Sequence, residues 1–154
     1  MAGNYFQAIK QNEKVLPDAL DYFNNELIQA KEEVKFDGKM ISKCVSELSS
    51  NFYTRLEQLQ ELEAILKHFE IKLAQRKSEA YKDLQNNNGR ALTSSDLKMY
   101  IDGKPEIVAI QQIINEIALV RNKYLGLTKA FETANFQLSN LSKLYIANAD
   151  SIKL

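Results

Sequence analysis

The chain has 154 residues, with 20 Lys+Arg against 20 Asp+Glu, five Gly, two Pro, one Cys and no Trp. That length suits one domain, and so few Gly and Pro exclude a fold with many strands and tight turns. A formal net charge of zero removes any whole-chain argument for a polyanionic partner.

In chain order, residues 1–15 are polar with scattered apolar positions and are expected to be loosely ordered. A first helix is predicted from Pro17 to about Val34. Pro17 suits a first helical position, and Asp18 and Asp21 complement the helix dipole. Leu20, Phe23, Leu27 and Ala30 form its apolar stripe, and Phe36-Asp37-Gly38 breaks it. The second and longest helix is predicted from about Lys39 to Leu84. Its stripe of Ile41, Cys44/Val45, Leu48, Phe52, Leu56, Leu59, Leu62, Leu66, Phe69, Leu73, Ala80 and Leu84 advances mostly in steps of three and four. The tract Gln85-Asn86-Asn87-Asn88-Gly89 suits a helix end with a left-handed cap. Thr93 or Ser94 can then cap a short helix over Asp96–Ile101. Asp102-Gly103-Lys104-Pro105 breaks the chain again. The last helix is predicted from Pro105 to about Asn148, with Gly126 as its single weak point.

The predicted fold is all-α: a single helical domain over residues 1–154, built as a long antiparallel helical hairpin, coiled-coil-like, with short N-terminal and connecting helices. Residues 85–104 form the connection. Each long arm spans roughly 65–70 Å at about 1.5 Å per residue. Such a rod leaves Tyr53, Ile65, Ile71, Val108, Leu119 and Leu125 off its seam and exposed. Exposed apolar residues of this kind mark an interface, so a homo-oligomer, ring or bundle, is expected.

One cysteine cannot make an internal disulfide, and Cys44 falls on the apolar stripe, where it reads as packing in a reducing compartment. The first residues hold no signal-peptide apolar run, and nothing approaches the ~18 apolar residues of a membrane span. The expected location is the cytoplasm, with no membrane partner. A lone His68 with no second His or Cys near it makes no ordinary metal site, and it is placed at the surface or seam edge. No phosphate-binding glycine loop or nucleophile–base set is present, so neither a cofactor nor an enzymatic activity is expected. Glu32-Glu33 and Glu61/Glu63 read as solvated helix faces.

The remaining chemistry is cationic and local. Residues 1–66 hold seven basic and eleven acidic residues, residues 67–104 eight and five, and the remainder five and four. The candidate nucleic-acid-binding groups are therefore Lys67, Lys72, Arg76, Lys77 and Lys82 on the second helix, with Arg90, Lys98 and Lys104 after it. Tyr81 and Tyr100 lie among them and could stack on bases while the cations neutralise phosphates. The competing reading is that Lys and Arg near a helix C-terminus simply complement its dipole.

The stretch Ser95-Asp96-Leu97-Lys98-Met99-Tyr100-Ile101, and the long helix closing in Ala134-Asn135-Phe136-Gln137-Leu138-Ser139-Asn140-Leu141, resemble the UvsY-type recombination mediators of tailed bacteriophages. Leu73, Arg76 and Tyr81 resemble that family's basic helix end, and Phe36-Asp37 followed by Glu47 and Tyr53 is similar to its N-terminal part. The resemblance covers roughly Leu27 to Tyr145. Ala134 and Ser139 stand where members tend to carry Arg and Lys, which weakens any DNA contact from that end. The resemblance implies an oligomeric protein that binds single-stranded DNA. Such a protein helps load a RecA-like recombinase onto DNA covered by single-strand-binding protein, with no nucleotide consumed. The alternative is a coiled-coil interaction or assembly module that binds no nucleic acid.

Overall fold

A computed structural model describes residues 4–87 and 91–151, the side chains of 149–151 excepted. The chain is all-α: α1 (Tyr5–Gln11), a 3-10 turn (Glu13–Val15), α2 (Leu16–Glu33), α3 (Ile41–Asn87), α4 (Ser94–Asp102) and α5 (Pro105–Ser151). Among the described residues no helix is long and apolar enough to cross a membrane.

Residues 1–15 are expected to be loose, but the described ones, from Asn4 on, carry α1 and the 3-10 turn. Asn4 caps it by accepting a hydrogen bond from the Gln7 N–H at 3.2 Å. Ile9 is fully buried, and the Tyr5 ring packs against that of Tyr22 with centres 5.0 Å apart and planes tilted by 39°. A fully buried side chain of this size contributes about 1.5–3 kcal/mol, enough to hold a helix too short to stand alone. The Phe6 N–H also donates to Glu61 Oε1 at 3.0 Å, so Glu61 anchors α1 rather than facing solvent alone. Between α2 and α3 the chain turns at Gly38, whose φ of +70° is the left-handed conformation glycine adopts without steric cost.

The two long helices run past each other in opposite directions. Phe52 stacks on Phe131 at 5.5 Å, Gln58 meets Tyr124, and Ala80 shares a small core with Ile107, so positions rise along α3 as they fall along α5. Their seam holds Cys44, Leu48, Leu59, Leu62, Phe69, Ile117, Val120, Leu127 and Leu138. Helix α2 lies over the middle of this pair and supplies Ala19, Phe23, Leu27 and Ala30 to the same core. With α1 and α2 covering a second flank, Ile65 is buried and Leu125 partly so, contrary to their expected exposure. Tyr53, Ile71, Val108 and Leu119 are exposed.

A polar knot sits inside this three-helix section. Arg55, only 3% exposed, donates from Nη1 to Glu26 at 2.6 Å and Gln58 at 2.9 Å. Its Nε and Nη2 donate to the two oxygens of Glu33 at 3.0 and 2.5 Å. Glu33, read as a solvated face, is thus one arm of a bidentate pair. The Tyr124 hydroxyl donates to the Phe23 carbonyl at 3.0 Å and lies 3.2 Å from Gln58 Oε1. Burial pushes the Tyr124 phenol well above its ordinary value, so it stays a donor. Burial alone would weaken the charge on Arg55, but Glu33 and Glu26 outweigh it and hold the guanidinium protonated. The knot fixes the register of α2, α3 and α5 together, because no one-residue slip keeps all these partners.

Helix α3 extends three residues past its expected end, so Gln85 to Asn87 are helical; the cap proposed at Gly89 lies outside the described residues. Thr93 caps α4: its Oγ1 accepts from the Asp96 N–H at 3.1 Å and donates to Asp96 Oδ2 at 2.7 Å. Gly103 closes α4 with its N–H on the Met99 carbonyl, and Pro105 starts α5 directly.

Candidate nucleic-acid interface

The expected basic stretch divides into two groups. Helix α3 climbs about 22 Å between Lys67 and Lys82 at ~1.5 Å per residue, which separates its ends. At the lower end Lys67 is exposed and 3.7 Å from Glu70. Lys72 is tied to Glu13, the carboxylate that also faces His68 Nε2 at 3.2 Å, and its ammonium lies 5.9 Å from the Phe69 ring centre. Burial alone would raise the Glu13 carboxyl, but hydrogen bonds from Lys72 and His68 bring it below its usual value. Glu13, His68 and Lys72 therefore join the 3-10 turn ahead of α2 to α3. That is structural work, and it takes Lys72 out of the candidate site. Arg76 is engaged by Glu79 at 3.0 Å.

The upper end is different. Lys77 donates to Asp102 Oδ1 at 2.8 Å across α3 and α4. That hydrogen bond holds the Asp102 carboxyl below its ordinary value, with the charge of Lys98 adding to it. Lys82 and Lys98 are exposed and Lys104 half-buried, and none of the three has an ion-pair partner among the described residues. Arg90 lies outside the described residues. Tyr81 is exposed and lines a groove with Lys77 and Lys98, whereas Tyr100 and the 68% exposed Met99 lie on α4 outside that groove. The groove, of about 360 Å³ between α3 and α4, is lined by Lys77, Ser78, Tyr81, Ser94 and Lys98, with Leu97 and Ile101 as its apolar floor and the Asp102 carboxylate at Lys77. It combines ammonium groups, two hydroxyls and an aromatic face, the groups that grip phosphate and stack on an unpaired base.

Of the eight expected cations, the structure brings Lys77, Lys82, Lys98 and Lys104 to one end of the molecule. It leaves Lys67 and Lys72 lower on α3, and Arg76 occupied by a neighbour. The hydroxyls of Ser78 and Ser94 and the counter-charge of Asp102 escaped the sequence reading, since only the folding of α4 onto α3 makes them neighbours.

A larger groove of about 600 Å³ lies between α2 and α5, lined by Leu27, Ile28, Val34, Leu127 and Ala130 with Lys31 and Lys123 at its edges. It is mainly apolar and sits away from the cationic end. No group of three or more His, Cys, Asp or Glu among the described residues is arranged to hold a metal ion. Compared with protein-family models, curated proteins and solved structures, the chain matches none.

Proposed function

We propose that this chain is a recombination mediator. In this reading it binds single-stranded DNA as a homo-oligomer and helps load a RecA-like recombinase onto DNA covered by single-strand-binding protein. The observation that supports the reading is the groove where Lys77 and Lys98 meet Tyr81, at the end of the molecule where α3 finishes near Lys82 and α5 begins after Lys104. Two of these lysines are exposed and unpaired among the described residues, so phosphate meets them without first displacing a carboxylate. The resemblance of residues 95–101 and of the last helix to the UvsY-type mediators points the same way. The chain's part is to bind and position; no catalytic step is assigned to it.

The protomer in this proposal is a coiled-coil-like antiparallel hairpin that repeats a modest DNA site around an assembly, which multiplies affinity without new contacts. Support for assembly comes from apolar surface left open along the rod at Tyr53, Ile71 and Leu119. More lies at the end opposite the cations, where Met40, Val45, Leu144, Tyr145 and Ile146 are each more than half exposed. That apolar end is also what favours a second reading, a helical interaction or assembly module with no nucleic-acid role. Native mass measurement with and without a short single-stranded oligonucleotide separates the two. The mediator predicts an oligomer that gains the mass of the DNA. The interaction module predicts the same mass with and without it.

A further inference from the structure

The groove that holds Tyr81 and Lys98 is not isolated. A second groove of about 390 Å³ on the α5 side is lined by Val108, Gln111, Gln112 and Asn115, and both grooves share Lys77 and Asp102. The Lys77–Asp102 pair is thus a bridge between two chemically different troughs. One offers ammonium and hydroxyl groups with an aromatic ring. The other offers three carboxamides beside an exposed valine and no cation of its own.

Carboxamides suit bases better than phosphates. Each presents a donor and an acceptor side by side, the pattern that base edges carry, whereas a phosphate can use only the donor. The Gln111 Nε2 donates to Asn115 Oδ1 at 3.1 Å, one turn along α5. That bond holds both side chains in place and leaves the Gln111 oxygen and the Asn115 amide hydrogens facing no protein partner among the described residues. All three amides are exposed, so nothing in the packing of α5 requires them.

We infer that a bound single strand crosses the Lys77–Asp102 bridge, with its backbone held by Lys77 and Lys98, one base stacked on Tyr81, and its next bases read by Gln111, Gln112 and Asn115 on the α5 side. Asp102 is the restraint in this arrangement: it holds Lys77 until a phosphate replaces it, and its negative charge opposes strands that approach weakly. The inference rests on the single-stranded-DNA reading above and adds to it which residues see the bases and which residue limits affinity.

The test compares binding of a labelled oligothymidylate with that of an abasic oligomer of equal length and charge, by fluorescence anisotropy. The wild type is expected to prefer the thymidine strand by about tenfold, since base contacts and stacking are absent from the abasic strand. The Q111A/Q112A/N115A variant is expected to lose about threefold of that preference, the rest being stacking on Tyr81, while its affinity for the abasic strand stays the same. D102N is expected to bind both strands more tightly, by about threefold, because Lys77 is freed. An unchanged preference in the amide variant, or no gain in D102N, overturns the inference and leaves DNA binding standing. A wild type that binds neither strand overturns the mediator reading itself. Helical circular dichroism of the variants, expected to match the wild type at these exposed positions, keeps misfolding from imitating either result.

Discussion

Replacing Arg55 by methionine keeps most of the side-chain length but removes the cation that joins Glu26 and Glu33 to Gln58. Breaking a buried ion pair by deleting one partner costs about 3–5 kcal/mol, because the other charge stays behind without compensation. Here Glu26 and Glu33 keep 22% and 23% of their side-chain surface, so water reaches them in part and the cost falls near the low end, about 3 kcal/mol. The loss depends on pH. Burial raises the Glu26 carboxyl, but hydrogen bonds from Gln58 and Arg55 together bring it below its ordinary 4.5. A carboxyl depressed in the folded state stabilises above its unfolded value and loses that contribution as pH falls through the folded one. In the variant the sign reverses: burial without the arginine raises Glu26, so taking up a proton favours the folded variant. The gap between the two proteins is therefore widest near neutral pH and closes as pH falls below about 4.5. Urea unfolding followed by helical circular dichroism at about pH 7 and about pH 4 measures it. A variant as stable as the wild type at neutral pH, or a gap that ignores pH, would refute this reasoning.

Tyr124→Phe removes the hydroxyl that binds the Phe23 carbonyl and keeps the ring, so a loss of about 1–1.5 kcal/mol is expected in the same unfolding assay. Gly38 and Gly126 predict opposite responses to alanine. Gly38→Ala places a side chain at φ +70° and costs about 1–2 kcal/mol. At Gly126 an added Cβ meets no atom within 4 Å, and the change gains about 0.5–1 kcal/mol of helix stability. Thermal melts should move by about 2–4 °C per kcal/mol, downward for the first and upward for the second. Glu13→Gln breaks the contacts to Lys72 and His68. The Glu13 side chain is 38% exposed, so the loss is below about 1 kcal/mol. Because its folded pKa is depressed, the loss appears above about pH 4.5 and vanishes in acid, where the wild type is also protonated.

Much of the fold was legible because two long apolar stripes and two clear breaks, at Gly38 and at Gly103–Pro105, set where helices start and stop. What escaped reading depended on partners distant in sequence. Helix α1 has only seven residues, too short a stretch for Tyr5, Phe6, Ala8 and Ile9 to show a full helical period. Arg55 and Gln58 look like surface residues on α3 until α2 brings Glu26, Glu33 and Tyr22 against them. A two-helix rod leaves Ile65 outside, whereas a third helix widens the arc that is buried. At the candidate site the cations themselves were visible, but their partners were not. Glu13 is 59 residues from Lys72, and Asp102 is 25 from Lys77, so no local pattern could show which lysines were already engaged.

The most direct measurement is anisotropy of a labelled single-stranded oligonucleotide titrated with the wild-type protein over a range of salt concentrations. With three to four lysines per protomer engaged at the α3–α4 end, the logarithm of the binding constant should fall against that of salt with a slope of about −2 to −3 per protomer. Lys82→Ala with Lys98→Ala should flatten that slope and weaken binding. Retention of no DNA even at low salt would contradict the account.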